Sequence, residues 1–311
     1  MIRPSLLAAV ALLVATAPAR AADPPLRTPP AQLAAALSCP AGLATAPHEA
    51  VLLVHGTGLN AEESWAWNYS KALPPLGRPP CTVTLPEKAL GDIQVATEYV
   101  VYAIRRVSAL SGRRIDVITH SQGGMEGRWA MRWWPSTRRE VDDMVLLASP
   151  NHGIAAADLC AASGNCWPAV WQMRTGSNFL TALNAGDETP GAVSYTDVYS
   201  LTDELVEPST TVPLSGASNV AVQSLCPGRV VHHGGLLDDA VAGALVLDAL
   251  GHPGGADPGR VAPTVCAEAF MPGVSAQDAV TGNATLYSRA AQAFSEHPGV
   301  TSEPAPASYV R

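Results

Sequence analysis

The order of apolar segments in this 311-residue chain predicts an α/β fold, a mainly parallel central sheet with helices on both faces. Three observations carry that expectation. Ala50–Val54, the run Ile115, Val117 and Ile118, and Val141–Ala148 are short, apolar and rich in β-branched residues, as strands buried on both faces are. Between the first two, Val95, Tyr99, Val100, Ile104 and Val107 recur at helical spacing, and Gly112 stands at the C-cap position. The alternation of strand and helix is the signature of βαβ crossovers.

Taken in order, residues 1–21 read as an export signal. Arg3 supplies the positive start, Leu6–Ala15 the apolar stretch and Ala19-Arg20-Ala21 a small-x-small cleavage site, which predicts a secreted protein. No later apolar run has the roughly 20 residues of a membrane span. Residues 22–38 form a proline-rich leader, with a short helix at Gln32–Leu37. Further strands are expected at Thr82–Leu85, Thr196–Leu201 and, last, Arg229–Val231; a helix is expected at Met125–Trp134, stopped by Pro135.

A hydrophobic fraction of 47% is enough for a large core, and Trp65, Trp67, Trp129, Trp133 and Trp134 are assigned to it. A net charge of −8 without a basic cluster points away from nucleic acid and from anionic membrane surfaces. Six cysteines, an even number, fit disulfides in an oxidising compartment. Cys160 and Cys166 enclose five residues and favour a local staple; the other four admit three pairings. A zinc site is not expected, because no C-x₂-C spacing occurs and no cysteine adjoins a histidine.

The chemistry centres on Thr119-His120-Ser121-Gln122-Gly123-Gly124, where a strand ends on a serine and turns at once into a helix. That turn is the nucleophile elbow of the α/β hydrolases, here with Thr119 in place of the usual first glycine. Upstream, Ala50–Val54 runs into His55-Gly56-Thr57-Gly58, placed to supply the other half of an oxyanion hole. A nucleophilic serine needs a base, and the base an orienting acid, in the chain order Ser, Asp or Glu, His. Asp203, directly after the strand at 196–201, is the chosen acid, with Glu204 as fallback; Asp187, Asp238 and Asp239 fit less well. His55 and His152 precede the acid, and His252 and His297 lie in Pro/Gly-rich surface contexts. One of the pair His232-His233 is therefore the base, with His233 favoured because it sits further into the loop.

The stretches Leu52–Gly58, Thr97–Val100, Thr119–Gly124, Tyr199–Val206 and Val231–Gly235 together resemble the Candida antarctica lipase B family and its bacterial relatives, over roughly residues 35–265. The resemblance implies an α/β-hydrolase fold with Ser121 as nucleophile, Asp203 as acid, His233 as base, and Thr57 and Gln122 as the oxyanion hole. It also implies the pairs Cys39–Cys81 and Cys226–Cys266. His120 replaces the family's tryptophan before the nucleophile, and Asn151 replaces an aspartate, so both are assigned to the substrate pocket. The Cys160–Cys166 loop has no counterpart in the resemblance, and residues 267–311 diverge from it.

Residues 39–266 are thus expected to form the catalytic domain, with a small cap or lid at 153–191 carrying Trp167, Val170, Trp171, Met173 and Phe179. Trp171 is the pocket candidate within it. The expected activity is carboxylic-ester hydrolysis, as a lipase or esterase and as a monomer, on an ester substrate that a lipid–water interface can present. The triad chemistry needs no metal and no cofactor. A polyester depolymerase or acyltransferase would share the triad, and a catalytically silent binding protein would share only the fold.

Overall fold

The computed structural model describes residues 22–310; the expected export signal, 1–21, lies outside them. Seven strands form one sheet: β1 Leu37–Ser38, β2 Val51–Val54, β3 Pro80–Val83, β4 Ile115–His120, β5 Val141–Leu147, β6 Ser194–Tyr199 and β7 Ser218–Ala221. Their order is β1-β3-β2-β4-β5-β6-β7, with β1 antiparallel to β3 and every other pairing parallel.

Each central strand feeds two cores, because its side chains alternate between faces. Leu52 and Val54 join Val117, Met144, Leu146 and the helices Ile93–Ser111 and Gly123–Trp133 on one face. Val51 and Leu53 join Ile118, Val145, Val198 and the helix Ala240–Gly251 on the other. Asp92 caps the helix Ile93–Ser111 by accepting from the Gln94 N–H, and Gly112 closes it at φ 72°. Four of the five tryptophans assigned to the core are buried, while Trp133 is half-buried with the Arg132 guanidinium 5.3 Å from its ring.

Two expected elements are corrected. Arg229–Val231 is not a strand: Val230 is 65% exposed, and the last strand is Ser218–Ala221, paired with β6. The sequence Ser-Asn-Val-Ala is too short and polar to read as a strand, but Asn219 stabilises its turn by accepting from Leu214 N–H and donating to the Leu214 carbonyl. The first helix ends at Ala35 rather than Leu37, because Leu37 and Ser38 pair with Val83 and Thr82.

Cystines join Cys39 to Cys81, Cys160 to Cys166 and Cys226 to Cys266, leaving no free cysteine among the described residues. The stretch 153–191 folds as three short helices, Ala155–Ala162, Pro168–Gln172 and Asn178–Leu183. The C-terminal stretch is ordered around the 21-residue helix Ala276–Glu296, started by a capping box of Ser275 and Asp278.

Candidate active site

Ser121 stands between the end of β4 and the helix that begins at Gly123, with φ 55°. A non-glycine residue in that left-handed region is strained, and the surroundings hold it there. Its N–H donates to the Leu147 carbonyl at 2.8 Å. The neighbouring glycines are steric requirements: a Cβ on Gly123 would lie 2.6 Å from the carbonyl oxygens of Val54 and His55, and one on Gly124 2.3 Å from Ser149 Oγ. Thr119 is accommodated by Gly127 on the facing helix, where a Cβ would approach Thr119 Cγ2 to 3.3 Å.

Asp203 and His233 meet as a buried pair, with His233 Nδ1 2.8 Å from Asp203 Oδ2. The other carboxylate oxygen of Asp203 accepts from the N–H groups of Leu205 and Val206, each at 2.8 Å. Burial alone would raise the Asp203 pKa, but the His233 hydrogen bond and charge, with those two N–H groups, outweigh it and lower the pKa below 3.8. An ionised acid facing Nδ1 fixes the proton there and leaves Nε2 bare to act as a base.

Glu204, the fallback acid, is turned elsewhere: it accepts from the backbone N–H of His233 at 3.0 Å. His232, the alternative base, is exposed and lies 3.3 Å from Glu204.

Thr57 follows β2, and its hydroxyl donates to Gln122 Oε1 at 2.6 Å. The Gln122 amide in turn donates to Glu126 Oε1 at 2.8 Å. Glu126 is wholly buried, and burial pushes its pKa up to about 8 despite the Gln122 hydrogen bond. Sequence reasoning missed Glu126; its signal is a carboxylate four residues after Gln122, one turn along the same helix face.

Ser121, His233, Thr57 and His120 line one cavity of about 380 Å³. Most of its remaining wall is apolar and comes from the cap and the C-terminal helix, with Leu59, Pro150, Leu205 and Val206 completing it. The cap contributes Ile154, Ala157, Cys160, Trp167, Val170 and Met173, and the C-terminal helix contributes Leu286, Tyr287, Ala290 and Phe294. Trp167 packs edge-on against Phe294, with centroids 4.7 Å apart, so the two walls touch. The contribution of the C-terminal helix was not foreseen, although Leu286, Ala290 and Phe294 recur at helical spacing.

His120 lies in the cavity wall; the two other pocket candidates do not. The Trp171 indole N–H donates to the Val300 carbonyl at 3.0 Å, and the neighbouring Trp167 takes the place in the wall. Asn151 is fully buried away from the cavity, its amide donating to Asp197 Oδ2 at 2.6 Å and to the Val212 carbonyl at 2.7 Å. Among the described residues no group of three His, Cys, Asp or Glu side chains is placed to hold a metal ion, and no helix is long and apolar enough to cross a membrane.

The model of the Alpha/beta hydrolase family matches residues 51–221. Lipase B of Pseudozyma antarctica is 37% identical over 224 residues, which are 69% of this chain and 65% of that relative's length. The crystal structure of Aspergillus fumigatus lipase B superposes with a TM-score of 0.88 at 32% identity, covering 95% of this chain and 74% of that one. Mature Bacillus licheniformis lipase BlEst2, at TM-score 0.50 and 16% identity over 59% of this chain and 87% of its own, shares the fold. Strand order, elbow, family match and lipase B similarity agree, and the chain belongs to the α/β-hydrolase family.

Proposed function

We propose that this protein is an exported carboxylic-ester hydrolase, a lipase or esterase working through an acyl-enzyme on Ser121. The observation that carries the reading is one apolar cavity that holds the elbow serine and a histidine already bound to a buried carboxylate. The similarity to two lipases B supports it. Three cystines support an oxidising destination.

In this reading His233 Nε2 removes the Ser121 proton as Oγ attacks the ester carbonyl, and Asp203 stabilises the imidazolium that forms. The oxyanion is received by the N–H groups of Thr57 and Gln122, neither of which is used in the backbone hydrogen bonds of the described loops. The Thr57 hydroxyl joins them by turning away from Gln122. His233 then protonates the leaving alcohol, and water repeats the sequence in reverse to release the acid.

The apolar walls select the acyl group. p-Nitrophenyl butyrate and octanoate should be cleaved, and a succinate half-ester of similar length much more slowly, because its carboxylate would be desolvated without a partner. No cleavage of either apolar ester, or a preference for the charged one, would remove the basis of this assignment.

A further inference from the structure

The loop that carries His233 has no strand behind it, since residues 229–231 are not part of the sheet. Side chains hold it instead. Thr202 Oγ1 accepts from the Val231 N–H at 2.9 Å and donates to the Val231 carbonyl at 3.0 Å. Asp203 takes the His233 ring, and Glu204 Oε2 takes the His233 backbone N–H at 3.0 Å. Three consecutive residues thus grip the loop, and the third is braced from outside. The Tyr287 hydroxyl donates to Glu204 Oε1 at 2.5 Å and accepts from the Gly234 N–H at 3.1 Å.

Tyr287 belongs to the C-terminal helix, and a turn earlier Asn283 donates to Asp238 Oδ2 at 2.7 Å, docking the helix on the far end of the same loop. The fit is close: a Cβ on Gly234 would fall 2.4 Å from Asn283 Oδ1. Tyr287 also faces the catalytic cavity, so one side chain touches both the substrate space and the backbone of the base's loop.

We propose that Tyr287 and Glu204 are a positioning pair for His233, and that the C-terminal helix is thereby a working part of the active site. The inference rests on the ester-hydrolase reading of Ser121 and His233. Neither residue exchanges a proton with substrate; the pair sets the backbone from which the imidazole reaches Ser121. A displacement of the base by a fraction of an ångström slows proton transfer without weakening substrate binding, because geometry near the reacting atoms dominates the barrier.

The test uses full-length protein with Tyr287→Phe, which removes one oxygen and keeps the ring in the cavity wall, together with Glu204→Ala and the double variant. For each, kcat and KM on p-nitrophenyl butyrate are measured, with the rate of Ser121 labelling by a fluorophosphonate and the melting temperature. Expected are about tenfold losses in kcat and in labelling rate for each single variant, with KM within twofold. The double variant should lose no more than the worse single one, since both act through the same contact. Unchanged kcat and labelling in both folded single variants would overturn the proposal, as would losses confined to KM, which would make Tyr287 a wall residue only. Labelling reads the base independently of the substrate. A wild type that labels but cleaves no ester sinks the substrate assignment and leaves this comparison intact, whereas a wild type that does not label overturns both.

Discussion

The ring of His120 lies against that of His233, with centroids 4.7 Å apart at 45°, and His120 Nε2 is 3.2 Å from the His233 carbonyl oxygen. Since a carbonyl only accepts, the His120 proton sits on Nε2. Burial, and secondly the neighbouring His233, hold the His120 pKa down to about 3. It is therefore an uncharged brace at neutral pH. His120→Phe keeps an aromatic ring but removes this hydrogen bond, so the melting temperature should fall by the equivalent of about 0.5–1.5 kcal/mol. The pH–rate profile of the variant should keep its shape above about pH 5, where His120 has no proton to gain. Loss of a titration step in that range would show that His120 is itself the titrating base.

In the proposed oxyanion hole the Thr57 hydroxyl and N–H are separate donors, and Thr57→Val removes only the first. If the hydroxyl turns onto the oxyanion, kcat should drop on the order of 10²-fold with KM nearly unchanged. An unchanged kcat would mean that the hydroxyl stays on Gln122 Oε1 throughout and that the N–H groups work alone.

Glu126 makes stability depend on pH. In the fold it keeps its proton up to about 8, while the unfolded chain loses it near the ordinary glutamate value of 4.5. Between those values the folded state binds more protons, so this group's contribution falls as pH rises through the window. Glu126→Gln keeps an acceptor for Gln122 and cannot ionise. Its melting temperature relative to wild type should rise from pH 5 to pH 8, by roughly 3 °C or more. A difference that stays flat across that range contradicts a buried neutral acid at this position.

The Cys160–Cys166 cystine ties the cap beside the cavity, with Cys160 in its wall and the Cys166 backbone bridged to Val300 on the C-terminal tail. Replacing both by serine should lower stability by about 2 kcal/mol, the closure entropy of so short a loop. It should also change the ratio of octanoate to butyrate cleavage, because Trp167 and Val170 follow directly. An unaltered chain-length profile would place the acyl group elsewhere in the cavity.

What was legible in the sequence follows from its physics. The central strands and the helix Ile93–Ser111 are buried as continuous or periodic apolar patterns, and such patterns survive in one dimension. Ser121, Asp203 and His233 were chosen through strand ends and chain order; Ser121 and His233 line one cavity, and Asp203 is bonded to His233 behind it. The reason for choosing His233 was partly wrong, since no strand delivers it. Side-chain contacts from Thr202 and Glu204 do that work, and hydroxyl and carboxylate partners 29 residues apart leave no periodic trace. Trp171 and Asn151 were misplaced for a similar reason: which way a ring or amide turns depends on distant acceptors, Val300 and Asp197, that local spacing does not encode. The C-terminal helix was left open because its cavity face is spread over Leu286, Ala290 and Phe294 within a segment that mixes small, apolar and polar residues about evenly.

The proposed role of Ser121 as nucleophile is tested most directly by the hydrolysis rate of p-nitrophenyl butyrate by wild type and by Ser121→Ala, both shown to be folded by equal melting behaviour. Turnover by the variant should fall by at least about 10³-fold, to the residue left by the oxyanion donors and binding alone. A folded Ser121→Ala protein that cleaves the ester within tenfold of the wild-type rate would contradict that role.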